Sequence, residues 1–306
     1  MKVFDWQELK RIGGVVAIGS FDGVHLGHRK LLQYGKKLGK LNVMTFSPHP
    51  RIVLQNIKED FLLNTDEEKY NLLRNSGADN VFFIHFTEEL ADFPPEFYIE
   101  KVICSKIKPD RIIVGFDHNF GKGGVGRANF LKDYCKKFNL DVIIFPEVKK
   151  NNKEIKSSLI RGLLRKGKVL EAKEFLGRFY SFGGVIIQGE GLGNRIGFPT
   201  SNVAIDTALK VLPCDGVYAA RVKVAGFKYN AMLYVGRRPT LKKQKRVVEV
   251  HILNFEKNIY GEHIDVEVIR RIRDEKSFDS IGSLRDQLYL DKKEIEKTFK
   301  EVKNGS

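Results

Sequence analysis

Residues Gly13–Gly35 read GGVVAIGSFDGVHLGHRKLLQYG. The run Val15–Ile18 is apolar without polar alternation, the pattern of a strand buried on both faces. Glycines at 19, 23 and 27 mark a turn in which the backbone can come close to a ligand, and helical spacing takes over from about His28 to Leu38. Exposed N–H groups and the helix dipole converge where such a turn enters a helix, and they attract phosphate. His25 and His28 stand at that point, so their imidazoles are donors that can be aimed at phosphate oxygens as charge builds on them during displacement. Two histidines at this spacing are, by themselves, more often structural; the strand, the turn and the glycines give them a chemical setting.

The same grammar continues outward. Apolar runs at Gly14–Ile18, Leu41–Phe46, Asn80–Phe86, Arg111–Val114 and Val142–Phe145 alternate with helix candidates such as Asp66–Asn75. This predicts an α/β domain with a parallel sheet covered on both faces and ligands at the strands' carboxyl ends. Three further segments fall at such ends or near a helix start: TFSPHP (Thr45–Pro50), VGFDHNFGKGGVG (Val114–Gly126) and IKSSLIR (Ile155–Arg161). The first reads as a turn kept irregular by Pro48 and Pro50, the second as a ligand-contacting or mobile loop, and the third as hydroxyls and a guanidinium beside an N-cap. The polar stretch KKNNKEIK (149–156) precedes a basic helical run from Leu159 to about Leu176. Beyond Tyr180, strand patterns at Gly183–Gln188, Gly216–Val224, Tyr229–Tyr234, Arg246–Phe255 and Ile264–Ile272 predict a small antiparallel barrel, and Leu284, Leu288, Ile295 and Phe299 predict helix packed across it. The expected division is residues 1–178 and 179–306.

At 306 residues, two domains are expected of an ordinary globular composition with 42% hydrophobic and 30% charged residues. The start lacks the apolar core of a signal peptide and no run reaches the length of a membrane span, so a cytosolic protein without a membrane partner is expected. Cys104, Cys135 and Cys214 are widely spaced and odd in number, and read as packing residues. The net charge of +15 suits nucleic acid, an anionic membrane surface or phosphorylated small molecules and does not choose among them; a solvated lysine-rich face is the plainer reading, and the scattered lysines without an interleaved stacking motif weaken the nucleic-acid one.

The barrel half has no GxxxxGK[ST] motif, which excludes a P-loop kinase at the level of motif. Its segment GEGLGNRIGFPTSN has glycines at 189, 191, 193 and 197 that permit a loop with amides facing phosphates, although by themselves they more often mark a plain hairpin. Thr200 and Asn202 offer hard oxygen ligands suited to magnesium. In RVVEVHILNF, alternation sets Glu249, His251 and Leu253 on one face and Val248, Val250 and Ile252 on the other. Glu249 is either a general base for an attacking hydroxyl or a solvent-facing glutamate.

The HxGH segment resembles the adenylyltransferase superfamily, and the ordered set resembles the bacterial bifunctional riboflavin kinase/FAD synthetase family. The likeness runs from about residue 12 to about residue 292 and includes GSFDGVHLGH, TFSPHP, LLNTDEEK, GFDHNFG, IKSSLIR, GFPTSN, PCDGVY, VGRRPT, VEVHIL and IRDEKSF. The resemblance implies a Rossmann-like nucleotidyltransferase domain and a barrel with terminal helices. It implies ATP-dependent phosphorylation of riboflavin to FMN by the barrel, and adenylylation of FMN to FAD by the first domain, both with magnesium. It assigns Gly19, Phe21, Asp22, Gly23, His25, His28, Ser157, Ser158 and Arg161 to ATP in the first domain. Pro48, His49, Pro50 and Asp117 go to its flavin. In the barrel, Gly189, Gly191, Gly193, Gly197, Pro199, Thr200 and Asn202 go to ATP, with the metal on Thr200 and Asn202, Glu249 as the base and Arg273 near flavin. His118 stands where the family commonly has Phe, Lys156 where serine is usual, Ser201 for the alanine of PTAN, and Leu192 and Asn194 where basic residues are common, with Arg195 able to compensate. Both activities are expected, with altered affinities. Other acceptors, such as pantetheine phosphate or nicotinamide mononucleotide, belong to HxGH enzymes that lack the second half. An RNA-binding module and a flavin-binding regulator with one inactive site are the readings from other classes.

Overall fold

The computed structural model describes residues 2–188, 197–238 and 245–304. The chain forms two compact units, Met1–Lys58 with Leu62–Ser157, and Glu59–Phe61 with Ser158–Ser306.

The first unit is built on strands β1 (Val3–Phe4), β2 (Val15–Ile18), β3 (Leu41–Ser47), β4 (Asn80–His85), β5 (Arg111–Gly115) and β6 (Asp141–Phe145). They form a six-stranded sheet in the order β1-β4-β3-β2-β5-β6, every neighbouring pair parallel. Successive side chains go to opposite faces. Val16, Ile18, Met44, Ile112 and Val114 join one core with Ile99, Ile103 and Leu131, while Val15, Ala17, Val43 and Ile113 join the other with Leu31, Leu32 and Leu73. This burial on both faces is the reason the strands read as unbroken apolar runs. The chain moves from β2 through β3 to β4 and then crosses to β5, so the topology reverses between β2 and β5, where an open α/β sheet leaves a ligand crevice at its carboxyl edge.

Helices α1 (Leu26–Lys37), α2 (Asp66–Asn75) and α3 (Ala128–Cys135) belong to this unit. The first starts two residues before the expected His28, because His25 is its N-cap. A π-helical segment, Tyr98–Ile107, was not anticipated; it contributes Tyr98, Ile99, Val102, Ile103 and Ile107 to the core. The polar KKNNKEIK stretch is a tight hairpin, Lys149–Lys150 against Lys153–Glu154, turning on Asn151 and Asn152 at φ 52 and 57. Asparagine tolerates that left-handed geometry.

In the second unit the expected single helical run is two helices, α4 (Ser157–Arg165) and α5 (Val169–Leu176), with Gly167 at φ +69 between them. Strands β7 (Tyr180–Ile187), β8 (Ser201–Ile205), β9 (Gly216–Val224), β10 (Phe227–Arg238), β11 (Lys245–Ile252) and β12 (His263–Asp274) close an antiparallel barrel in the order β7-β8-β11-β10-β9-β12. Its inner face holds Tyr218, Leu233, Val235, Val248 and Val250 in register. Val217, Ala219, Met232 and Ile269 form the outer face, covered by Ile295 and Phe299 of α6 (Ile281–Asn304). Among the described residues the terminal helical region is this one continuous helix, where more than one was expected.

Candidate active site

The carboxyl end of β2 runs into a loop held in strained backbone. Phe21 and Val24 have φ of 47 and 36, Gly23 has φ 84, and all lie close-packed in the core beside α1. A β-branched residue at positive φ costs on the order of 1–3 kcal/mol and persists only where its surroundings fix it. The buried Asp22 supplies part of that fixing. Its carboxylate accepts from the backbone N–H of Leu63 at 2.9 Å and of Asn64 at 3.3 Å, and its carbonyl accepts from Ser157 Oγ at 2.8 Å. Asp22 therefore ties the loop to LLNTDEEK and to the start of IKSSLIR.

His25 Nδ1 accepts the His28 backbone N–H at 3.3 Å, capping α1. A neutral ring that accepts at Nδ1 carries its proton on Nε2. The two imidazoles stack at 3.6 Å and 15°, and the Phe21 edge meets His28 at 5.2 Å. Gly27 makes room for this, since a Cβ there would come within 3.2 Å of the His25 ring. Two imidazoles thus stand parallel at a helix N-terminus, at the switch point of the sheet.

TFSPHP ends β3 and is less irregular than expected: Pro50 is the first residue of a short helix, Pro50–Gln55, whose cap His49 accepts at Nδ1 from Arg51 N–H at 3.1 Å. Proline suits that position, where its missing N–H costs nothing. The end of β3 is anchored by Lys69, 2% exposed, with Nζ 3.2 Å from both the Phe46 carbonyl and Asp66 Oδ1 and over the Phe83 ring. Neither Asp66 nor Lys69 was singled out from sequence, although their i,i+3 spacing on a capped helix was visible. Lys69→Met should cost about 2 kcal/mol, since it leaves a buried carbonyl and a partly buried carboxylate without their cation. The readout is the denaturant midpoint of Trp6 fluorescence. Trp6 is the only tryptophan and packs on Phe93 and Phe97 in the first unit.

After β5, Phe116 and Asp117 are exposed, and Asn119–Phe120 pair with Gly126–Arg127 in a short hairpin where a mobile loop was one reading. His118 stacks on Phe120 at 5.6 Å, and its Nε2 is sealed from solvent without a hydrogen-bond partner. Burial holds the His118 pKa down at about 4. The unfolded chain protonates this ring near pH 6.5 and the folded chain does not, so unfolding takes up a proton between those values, and stability falls as pH drops from about 6.5 towards 4. In His118→Phe, the Trp6 unfolding midpoint should fall less over that interval than in the natural chain.

Ser157 opens α4, while Ser158 and Arg161 lie in the second unit. There Arg161 is buried, donating from Nε to the Phe61 carbonyl at 2.6 Å with its guanidinium 4.0 Å from the Phe61 ring centroid. Lys156 pairs with Glu154 at 2.5 Å.

In the barrel, the register lines up Asn202, Glu249, Tyr234, Val217 and Arg273 as successive neighbours across β8, β11, β10, β9 and β12. They share the outer face, on which Val217 and Tyr234 pack with Ile295 and Phe299 of α6. Glu249 is 8% exposed, so it is not a solvent-facing glutamate. Tyr234 donates to Glu275 Oε1 at 2.5 Å, and burial followed by that bond pushes its phenol pKa up. Arg273 is held by Asp291 of α6, with Nε 3.0 Å from both carboxylate oxygens, and Gln287 donates to the same carboxylate at 2.9 Å. Thr200 precedes the ladder and Gly197 turns at φ +80. Gly189, Gly191 and Gly193, with Leu192, Asn194 and Arg195, lie outside the described residues. His251, on the face of Glu249, has Nδ1 2.8 Å from the Pro199 carbonyl. Burial, ahead of the charge of Lys292, holds its pKa below the usual histidine value against the opposing effect of that bond. Tyr234, His251, Glu275 and Asp291 were not assigned roles from sequence.

Residues 8–159 match the FAD synthetase family and residues 176–299 the riboflavin kinase family. The chain is 34% identical over 302 residues to the bifunctional riboflavin kinase/FMN adenylyltransferase of Bacillus subtilis (strain 168), covering 94% of this chain and 93% of that protein. It is 31% identical over 285 residues to the protein of the same description in Escherichia coli (strain K12), covering 91% and 90%. A crystal structure from Streptococcus pneumoniae, described as a macrolide-efflux protein, is similar with a TM-score of 0.86 and 30% identity, covering 96% of this chain and 97% of that one. Among the described residues no helix is long and apolar enough to cross a membrane.

Proposed function

The chain belongs to the bifunctional riboflavin kinase/FMN adenylyltransferase family, and on that premise we propose how its residues divide two reactions. The protein phosphorylates riboflavin to FMN and adenylylates FMN to FAD, using ATP and a divalent metal. Residues 1–178 form the adenylyltransferase and residues 179–306 the kinase, a reading supported by the order of the two family matches, 8–159 and then 176–299.

In adenylyl transfer, an FMN phosphate oxygen attacks the α-phosphorus of ATP, a new P–O bond forms, and the bond to the β-phosphate breaks to release pyrophosphate. Gly19, Phe21, Asp22 and Gly23 shape the loop whose amides meet the phosphates. His25 and His28 donate to α-phosphate oxygens as charge grows there. The observation that carries this is the His25 cap: it fixes Nδ1 as an acceptor and so assigns the ring proton to Nε2, the donor that transfer needs. Ser157, whose hydroxyl donates to the Asp22 carbonyl, binds the same nucleotide, and Pro48, His49, Pro50 and Asp117 bind the flavin.

In the kinase, Glu249 accepts the proton of the riboflavin 5′-hydroxyl as its oxygen bonds to the γ-phosphorus and ADP departs. Pro199, Gly197 and the glycines at 189, 191 and 193 contact ATP, and Arg273 lies towards the flavin. The metal, when bound, neutralises phosphate charge. Thr200 and Asn202 fit it as hard oxygen donors beside Glu249, and among the described residues no cluster of three His, Cys, Asp or Glu side chains forms a cage of its own. Glu249→Gln and His28→Ala, each assayed for FMN formation from riboflavin and for FAD formation from supplied FMN, separate the roles. Each variant should lose one reaction and keep the other.

A further inference from the structure

The segment 197–200 bears Thr200 yet lies outside the barrel ladder: pairing of β8 with β11 begins at Ser201 opposite Val250 and continues with Asn202 opposite Glu249. Something other than strand pairing has to set Thr200. Proline fixes its own φ, and the Pro199 carbonyl lies in the same rigid peptide plane as the Thr200 nitrogen. A group that holds the Pro199 oxygen therefore fixes where the Thr200 Cα stands.

His251 is that group. Its Nδ1 lies 2.8 Å from the Pro199 oxygen, and because a carbonyl can only accept, Nδ1 carries the proton. The ring is 9% exposed and meets the edge of the buried Phe198 at 5.4 Å, and Phe198 packs in turn against Tyr289 of α6 at 4.9 Å. The imidazole is thus fixed on more than one side. His251 also sits two residues from Glu249 on one strand and one face, so a single rigid element bears both the carboxylate and the anchor of the turn.

We infer that His251 is a positioning residue for phosphoryl transfer: its Nδ1–H holds the Pro199 carbonyl and sets the Thr200 hydroxyl, and with it the metal–ATP complex, against Glu249. This rests on the reading of Thr200 and Asn202 as the metal and ATP ligands. Groups that orient a metal's ligands typically change metal affinity or activity by about 10- to 100-fold when removed.

The test uses full-length His251→Leu, His251→Gln and His251→Asn. Asparagine can place an amide N–H near the Nδ1 position, whereas in glutamine the amide is a bond farther out and leucine has none. Riboflavin phosphorylation is measured for kcat, for KM of riboflavin and of Mg-ATP, and for the magnesium concentration at half activity. FMN adenylylation by the same preparations is the internal control. The expected result is that His251→Leu and His251→Gln raise KM for Mg-ATP and the magnesium requirement about 10-fold or more, with KM for riboflavin within about twofold and adenylylation unchanged. His251→Asn recovers most of the loss. Unchanged Mg-ATP and magnesium parameters in a folded His251→Leu overturn the inference, as does an Asn variant no better than Leu, or KM values for both substrates rising together. Thr200→Ala and Asn202→Ala run alongside: if neither impairs the kinase, the reading of the metal site fails, whereas if they impair it and His251→Leu does not, only the role of His251 fails.

Discussion

Glu249→Gln is expected to slow riboflavin phosphorylation by about 1,000-fold, within the range of about 100- to 10,000-fold that a positioned general base contributes. The substitution keeps the shape and the hydrogen-bonding capacity of the side chain. Glutamine can still lie between Asn202 and Tyr234 in the cross-strand row, so the barrel should remain intact. What it loses is the ability to take the proton of the attacking hydroxyl. The loss should therefore fall on kcat, with KM for riboflavin and for Mg-ATP nearly unchanged, and the same chain should still convert supplied FMN and ATP to FAD. A variant that keeps more than about a tenth of the natural kcat would remove Glu249 from the chemistry.

His28→Ala is expected to have the opposite pattern, with FAD formation from FMN down by about 100- to 1,000-fold, the usual cost of deleting one preorganised donor to developing charge, and FMN formation from riboflavin unchanged. The substitution also deletes a ring stacked at 3.6 Å on His25. His25→Asn separates donation from helix capping, because asparagine caps a helix as well as any residue and so preserves the start of α1. If the imidazoles act as donors, His25→Asn loses adenylylation without losing stability in the Trp6 unfolding transition. If they serve only to cap and pack, it keeps adenylylation.

Strand β2 and the site at its carboxyl end were legible because the sequence there does what both local and global structure require: a buried apolar run, a turn with left-handed backbone, and a helix N-terminus. The position of α1 was two residues off because histidine is an uncommon N-cap and its capping bond through Nδ1 has no marker in spacing alone. Strand β8 was not recognised, since SNVAI follows directly on a motif read for its ligands and is too short for alternation to stand out. The face shared by Glu249 and His251 followed from a period of two. The bond from His251 to the Pro199 carbonyl joins residues 52 positions apart, and no local pattern encodes it. The anchoring of β3 by Lys69 is likewise tertiary, a buried cation paid for by a carbonyl, a carboxylate and an aromatic face that meet only in the fold.

The measurement that bears most directly on two ATP-dependent reactions carried by one chain is the fate of labelled phosphate. The protein is incubated with riboflavin, magnesium and ATP labelled at either the α or the γ position, and FMN and FAD are resolved by chromatography over time. FMN should appear first with the γ label alone, and FAD should follow carrying one phosphate from each position, α and γ. FAD bearing only the α label, or no labelled flavin of either kind, would contradict the assignment of the two reactions to this chain.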